Sequence, residues 1–319
     1  MNRLLENIKK YSGWNTVVEL SKIKGFPGPR DISVYEVLSF LFIEMGRDSI
    51  LIRASSISFN LFVAIFPSIL VIFTVIPYIP VPNFQTVLLG TLSDVLPENV
   101  YVLLSETIED IVTREQGGLL SVSIVLSVYY ASRGVISLMN AFDKALPTFR
   151  KRDFINNQLV AFKLLLLLFL LLLVSVTLFI GGERIIKGIM HLIHAEDSTT
   201  YLWFTTIRWF SVLVIIYFSI ALIYYFGPAT HNQWRFFTAG ATLATILSII
   251  SSLIFSWLID QFGQYNKVYG SIGTLLVLMI WLNYNSLSLL IGFELNASIE
   301  MNKSMHKEGS LESQLSKEK

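Results

Sequence analysis

A chain of 319 residues that is 53% hydrophobic and only 15% charged is far more apolar than soluble domains, in which about a quarter of the residues are charged. That balance defines an integral membrane protein. A net charge of +1 argues neither for nor against a nucleic-acid partner until the charges are placed by side, and the lack of cysteine excludes disulfides, thiol catalysis and thiolate metal sites.

Charged and polar residues run through positions 1–30 with no short apolar core ahead of a small-residue cleavage site, so no secretory leader is expected and the chain should stay whole. Over 33–48, Glu36, Glu44, Arg47 and Asp48 gather on one helical face while Tyr35, Leu38, Leu41, Phe42 and Met45 cover much of the rest. This predicts an interfacial helix within a cytoplasmic N-terminal segment, 1–53.

The first predicted span covers 54–77. It carries Arg53, Ser56 and Asn60 on one face and meets Pro67 near its middle, where the missing N–H bends a helix and frees a carbonyl. In lipid that carbonyl must be satisfied by protein or water, so the kink is expected to be buried or beside a wet cavity. Beyond it, Tyr101, Leu104, Ile108 and Ile111 recur at helical spacing opposite Glu106, Glu109 and Asp110, predicting a second interfacial helix in an acidic outer loop.

The second span, 118–141, contains Arg133, which on insertion scales costs roughly 2.5–3.5 kcal/mol at the centre of a helix. It lies on the polar line Ser123, Ser127, Tyr130, Arg133, Ser137, Asn140, Lys144, one helical face that should avoid lipid tails. The third span, 159–181, is rich in leucine and is expected to face lipid. A fourth follows at 204–226. The fifth, 236–259, bears Thr238, Thr242, Thr245, Ser248, Ser252 and Ser256 on one face, a stripe read as close helix packing in preference to a pore lining. The sixth, 272–295, holds Trp281, Asn283, Tyr284, Asn285 and Ser288 and ends at Gly292, Glu294 and Asn296. Residues 300–319 lack apolar period and are expected to form a disordered cytoplasmic tail.

Each span supplies the roughly 20 apolar residues that a bilayer core of about 30 Å requires. Between the spans, 17 Lys and Arg fall on one side and four on the other. The positive-inside rule therefore puts both termini of this multi-pass chain in the cytoplasm. Arg133 then lies about 22 Å from the outer end of its helix, in the cytoplasmic half, as does Glu294. We expect a buried polar cluster in which Arg133 is compensated by Glu294, by Asn60 or by both, with Ser56, Tyr130, Ser137 and Asn285 nearby. Such a cluster is either structural glue or a substrate contact.

Three segments carry a resemblance: ASSISFNLFVAIFPSIL over 54–70, YYASRGVISLMNAFDKAL over 129–146 and QYNKVYGSIGTLLVLMIWLNYNSLSLLIGFELNASI over 264–299. Tyr269-Gly270, Trp281 and the run Gly292-Phe293-Glu294-Leu295-Asn296 are its most characteristic positions. The chain resembles the YihY/BrkB family of bacterial inner-membrane proteins, which implies one six-helix membrane domain, 54–299, with cytoplasmic termini. Relatives more often show Ala-Leu-Asn where this chain has Ala141-Phe142-Asp143. The family's inherited ribonuclease and virulence labels name no mechanism.

A nuclease needs clustered metal ligands or an acid–base pair around a phosphate. His191 and His194, with Glu183, Glu196 and Asp197 nearby, are expected in the outer loop, away from RNA, and weakly suggest metal. Arg150, Lys151 and Arg152 read as a topology determinant meeting anionic headgroups. Gly270 and Gly273 open a helix without a preceding strand and make no phosphate loop. We therefore expect no catalytic residues, no metal, no cofactor and no nucleic-acid partner. Polar groups at depth and a breakable helix fit a protein that moves or accommodates a lipid or amphipathic small-molecule substrate in contact with membrane lipids. A non-transporting envelope scaffold is the alternative, and a membrane-bound ribonuclease comes last.

Overall fold

The computed structural model describes residues 50–78, 108–111, 113–143, 152–192, 198–230, 235–261 and 271–317. Six long helices carry them: α1 Ile50–Val75, extended by a 3-10 turn Ile76–Tyr78, α2 Gly117–Ala141, α3 Phe154–Leu192, α4 Ser198–Phe226, α5 Ala239–Gln261 and α6 Ser271–Lys317. All six contain a stretch long and apolar enough to cross a membrane. The fold is all-α and polytopic, as the spacing of apolar stretches predicts. The interfacial helix expected over 33–48, His194 and most of the acidic outer loop lie outside the described residues.

Helix ends differ from the predicted spans because the apolar stretch sets where a helix crosses lipid, not where it stops. The largest difference is at α6. The tail expected to be disordered after Glu300 continues as helix through Lys317. No proline interrupts 271–317, and Ser, Glu, Met, Lys, Gln and Leu propagate a helix whose costly first turn the membrane-spanning part has already formed. Pro67 lies buried inside α1, which runs through it without a break.

Each helix packs on its neighbours in sequence, and α6 closes back onto α1. Consecutive helices run antiparallel, as the Ser56–Ser137 and Ser68–Ser127 contacts show for α1 and α2, so the starts of α1, α3 and α5 meet the membrane-exit ends of α2, α4 and α6. The buried core gathers Ile57, Met139, Phe142, Leu164, Tyr224, Leu290 and Phe293. α3 leaves Leu159, Leu170, Leu173, Val174 and Val176 exposed, the pattern of a helix that contacts lipid.

Candidate functional site

At the end of the bundle where α1 begins, the chain is pinned by polar contacts between helices. Arg53 donates to a Glu294 oxygen at 2.9 Å and to the Ala141 carbonyl at 2.7 Å, joining α1, α6 and the end of α2. The Glu294 side chain is 1% exposed and that of Arg53 19%. Phe142, fully buried, stacks on Phe293 with ring centres 4.4 Å apart and meets Tyr224 edge-on. Tyr224 donates to the Leu289 carbonyl at 2.6 Å.

At the start of α5, Thr238 accepts from the Ala241 amide and Asn296 of α6 accepts from the Gly240 amide, while the Asn296 amide group donates to Thr238. These bonds satisfy donors that a helix N-terminus otherwise leaves open. α5 and α6 cross through Gly240 and Gly292. A Cβ on either would collide with the other's carbonyl, and one on Gly292 also with the Tyr224 hydroxyl. Further along α6, Trp281 donates to Ser252 of α5, and Asn283 to Ser55 and Ser58 of α1. The hydroxyl stripe of α5 is thus partly a packing and capping device, although Ser248 turns elsewhere.

Arg152 ends α4. Its guanidinium donates to the carbonyls of Phe226, Gly227 and Pro228 at 2.8–3.0 Å, carbonyls that have no partner within the helix. This side chain therefore serves the protein backbone, whereas the sequence reading assigned it to lipid headgroups. Lys163, in the leucine-rich helix, stands 4.2 Å from the centre of the Phe226 ring.

The helices shape two open concavities. The larger, about 950 Å³, receives residues from all six: leucines, isoleucines and Phe162 and Phe169 on its walls, with Ser68, Ser127, Ser175, Ser219, Ser248 and Asn285 as its few polar groups. The smaller, about 330 Å³, is lined by α1 and α2 alone: Arg53, Ser56, Asn60, Arg133, Ile136, Ser137, Asn140 and Ala141.

The two lie on opposite sides of the α1–α2 seam. Ala131 lines the larger and Arg133 the smaller, and two positions on a helix are about 200° apart. Between them the seam is closed by the Ser68–Ser127 hydroxyl contact at 3.0 Å, by Leu61 against Gly134, and by Ser56–Ser137 at 3.3 Å.

The predicted cluster is therefore divided. Arg133, Asn60, Ser56 and Ser137 share the smaller notch, but Glu294 belongs to Arg53. Among the described residues Arg133 has no hydrogen-bond or ion-pair partner, and Asn60 donates to the Ser56 carbonyl of its own helix. Asn285 lines the larger cavity, and Tyr130 packs edge-on against Tyr129. The expected compensation of Arg133 by Glu294 or Asn60 is corrected: the arginine that meets Glu294 is Arg53, at 2.9 Å.

Arg53 is the residue missed. Its spacing from Ser56 and Asn60 put it on the right face, but at the edge of a span it read as one more topology charge. Among the described residues no three His, Asp or Glu side chains group as a metal site.

These features define a six-span helical membrane protein, tied at one end and hollow in its middle. The chain belongs to the BrkB virulence factor family, whose model matches residues 41–316. The ribonuclease-like protein YfkH of Bacillus subtilis is 26% identical over 253 residues, 79% of this chain and 91% of that protein. A UPF0761 membrane protein of Idiomarina loihiensis is 28% identical over 165 residues, 52% and 57% of the two chains. One of Mannheimia succiniciproducens is 23% identical over 253 residues, 76% and 82%. No solved structure matches the chain.

Proposed function

We propose that this protein accommodates, and moves between leaflets, a lipid or amphipathic small molecule, and that it does so without catalysis. The observation that supports this reading is the cavity of about 950 Å³ bordered by all six helices. Ligand sites typically measure about 300–1,000 Å³ and pair apolar walls with a few polar groups. Five serines and Asn285 on leucine and isoleucine walls suit an acyl chain or a comparable apolar body with a weakly polar end. The cavity replaces the surroundings of Arg133 as the seat of this activity, because the closed α1–α2 seam stands between them. The excess of Lys and Arg on one side favours cytoplasmic termini in a bacterial inner membrane.

Purified protein in liposomes, assayed for exchange of labelled lipids between leaflets, tests the reading. Exchange above protein-free vesicles is expected, with a severalfold loss in Ser219→Phe, which sets a bulky ring on the cavity wall. Exchange at the protein-free rate would leave a scaffold role. The ribonuclease-like name of the Bacillus subtilis relative is tested separately with a labelled RNA. No cleavage is expected from wild type.

A further inference from the structure

We propose that the notch around Arg133 is a binding site for a single anionic phosphate group, carried by a membrane lipid seated in the groove between α1 and α2 on the outside of the bundle. The site is distinct from the central cavity and does not depend on what that cavity holds.

Charge comes first. Two arginines line the notch, but Glu294 neutralises Arg53, whose guanidinium also serves the Ala141 carbonyl. The Asn60 side chain is tied to Ser56 through one of its amide hydrogens, and Asn140 accepts from Asn157 of α3. One positive charge, that of Arg133, is left to attract a ligand, with the Ser56 and Ser137 hydroxyls beside it. That set matches one monoanion, because guanidinium and hydroxyl donors bind phosphate oxygens with charge-assisted bonds.

Depth comes second. Arg133 lies about 12 Å from the end of α2 at Ala141, and an arginine side chain extends toward the interface while its stem stays in apolar surroundings. The notch is therefore within reach of the phosphates of the leaflet at the Arg53 end. Towards the membrane centre the same side of the pair is apolar and exposed, with Leu126 and Tyr129 on α2 and Phe66 on α1. A headgroup above and hydrocarbon below is the layout of a phospholipid. Volume comes third: about 330 Å³ is about eleven waters' share of liquid, room for a small headgroup and too little for a helix.

The test uses the full chain extracted from nanodiscs containing equal phosphatidylglycerol and phosphatidylcholine, with retained lipid counted by native mass spectrometry. Wild type should retain the anionic lipid roughly tenfold over the zwitterionic one, the scale of one charge-assisted hydrogen bond. Arg133→Gln should bring the ratio near one, and Arg133→Lys should keep most of it. Asn60→Asp, which leaves Arg133 in place but sets a carboxylate beside it, should also abolish the preference and guards against misfolding of the Arg133 variant.

Millimolar inorganic phosphate or glycerol phosphate identifies the source: no displacement supports a lipid-borne phosphate, and full displacement shows that the notch takes free anions and overturns the lipid assignment. Equal retention of both lipids by wild type overturns the proposal. So does a wild-type dimer that Arg133→Gln splits without changing lipid content, which would assign the notch to a second copy of the chain.

Discussion

The pinned end of the bundle and its hollow middle are built from different material. At the end, Arg53, Glu294, Asn296, Arg152 and Phe142 each reach another element through a specific atom, and Gly240 and Gly292 bring two backbones into contact. In the middle, α3 presents leucines and phenylalanines to a cavity, and any apolar residue of similar size would serve. Four of the five residues in the run Gly292-Phe293-Glu294-Leu295-Asn296 have a partner at the pinned end, and Leu295 is buried there. The run that looks most like a functional signature is thus occupied in holding helices together. A membrane supplies no hydrophobic force between helices, so close packing and interhelical hydrogen bonds must supply specificity. Concentrating them at one end leaves the middle free to be hollow.

The contrast is broken most severely at Glu294. Glu294→Gln removes the buried carboxylate that Arg53 meets at 2.9 Å and should cost roughly 3 kcal/mol, the scale on which breaking a buried ion pair destabilises a protein. Thermal unfolding in detergent measures it. The double variant Arg53→Met, Glu294→Leu should recover most of the loss, and an equally unstable double variant would show that the pair does more than neutralise itself.

Next comes Gly292→Leu, which should destabilise by about 1–3 kcal/mol through overpacking against Gly240 and Tyr224, with Gly292→Ala milder. Asn296→Ala removes the acceptor for the Gly240 amide and should cost about 1 kcal/mol, as cap losses do. Asn296→Asp keeps that acceptor and should fall between. The smallest effect belongs to the middle. Ser219→Leu should change unfolding by less than about 0.5 kcal/mol while reducing lipid exchange, so that stability and activity separate by region.

Much of this architecture was legible before any helix was placed. The apolar stretches around Phe62, Val125, Leu168, Phe218, Ile249 and Leu282 each mark a span because every backbone polar group in lipid must bond within its own helix. The faces were legible as well, since a spacing of four puts Ser56 with Asn60, and Arg133 with Ser137, on one side of each helix; that the two sides meet is a fact of the structure. The partner of Glu294 was not legible. Arg53 and Arg133 both lie in the same half of the membrane, and sequence spacing has no measure of which of them the turn of α6 brings within 2.9 Å.

Nor could spacing separate the notch from the cavity. Ala131 and Arg133 are two residues apart, yet α1 packs between the spaces they line. The sequence by itself determined that the chain crosses a membrane six times, because bilayer thickness acts on one helix at a time. Only the tertiary structure decided which charge is paired, which faces the groove and where the hollow lies. Those outcomes depend on the rotation of each helix against its neighbours, and that rotation is set by contacts between residues as far apart as Arg53 and Glu294.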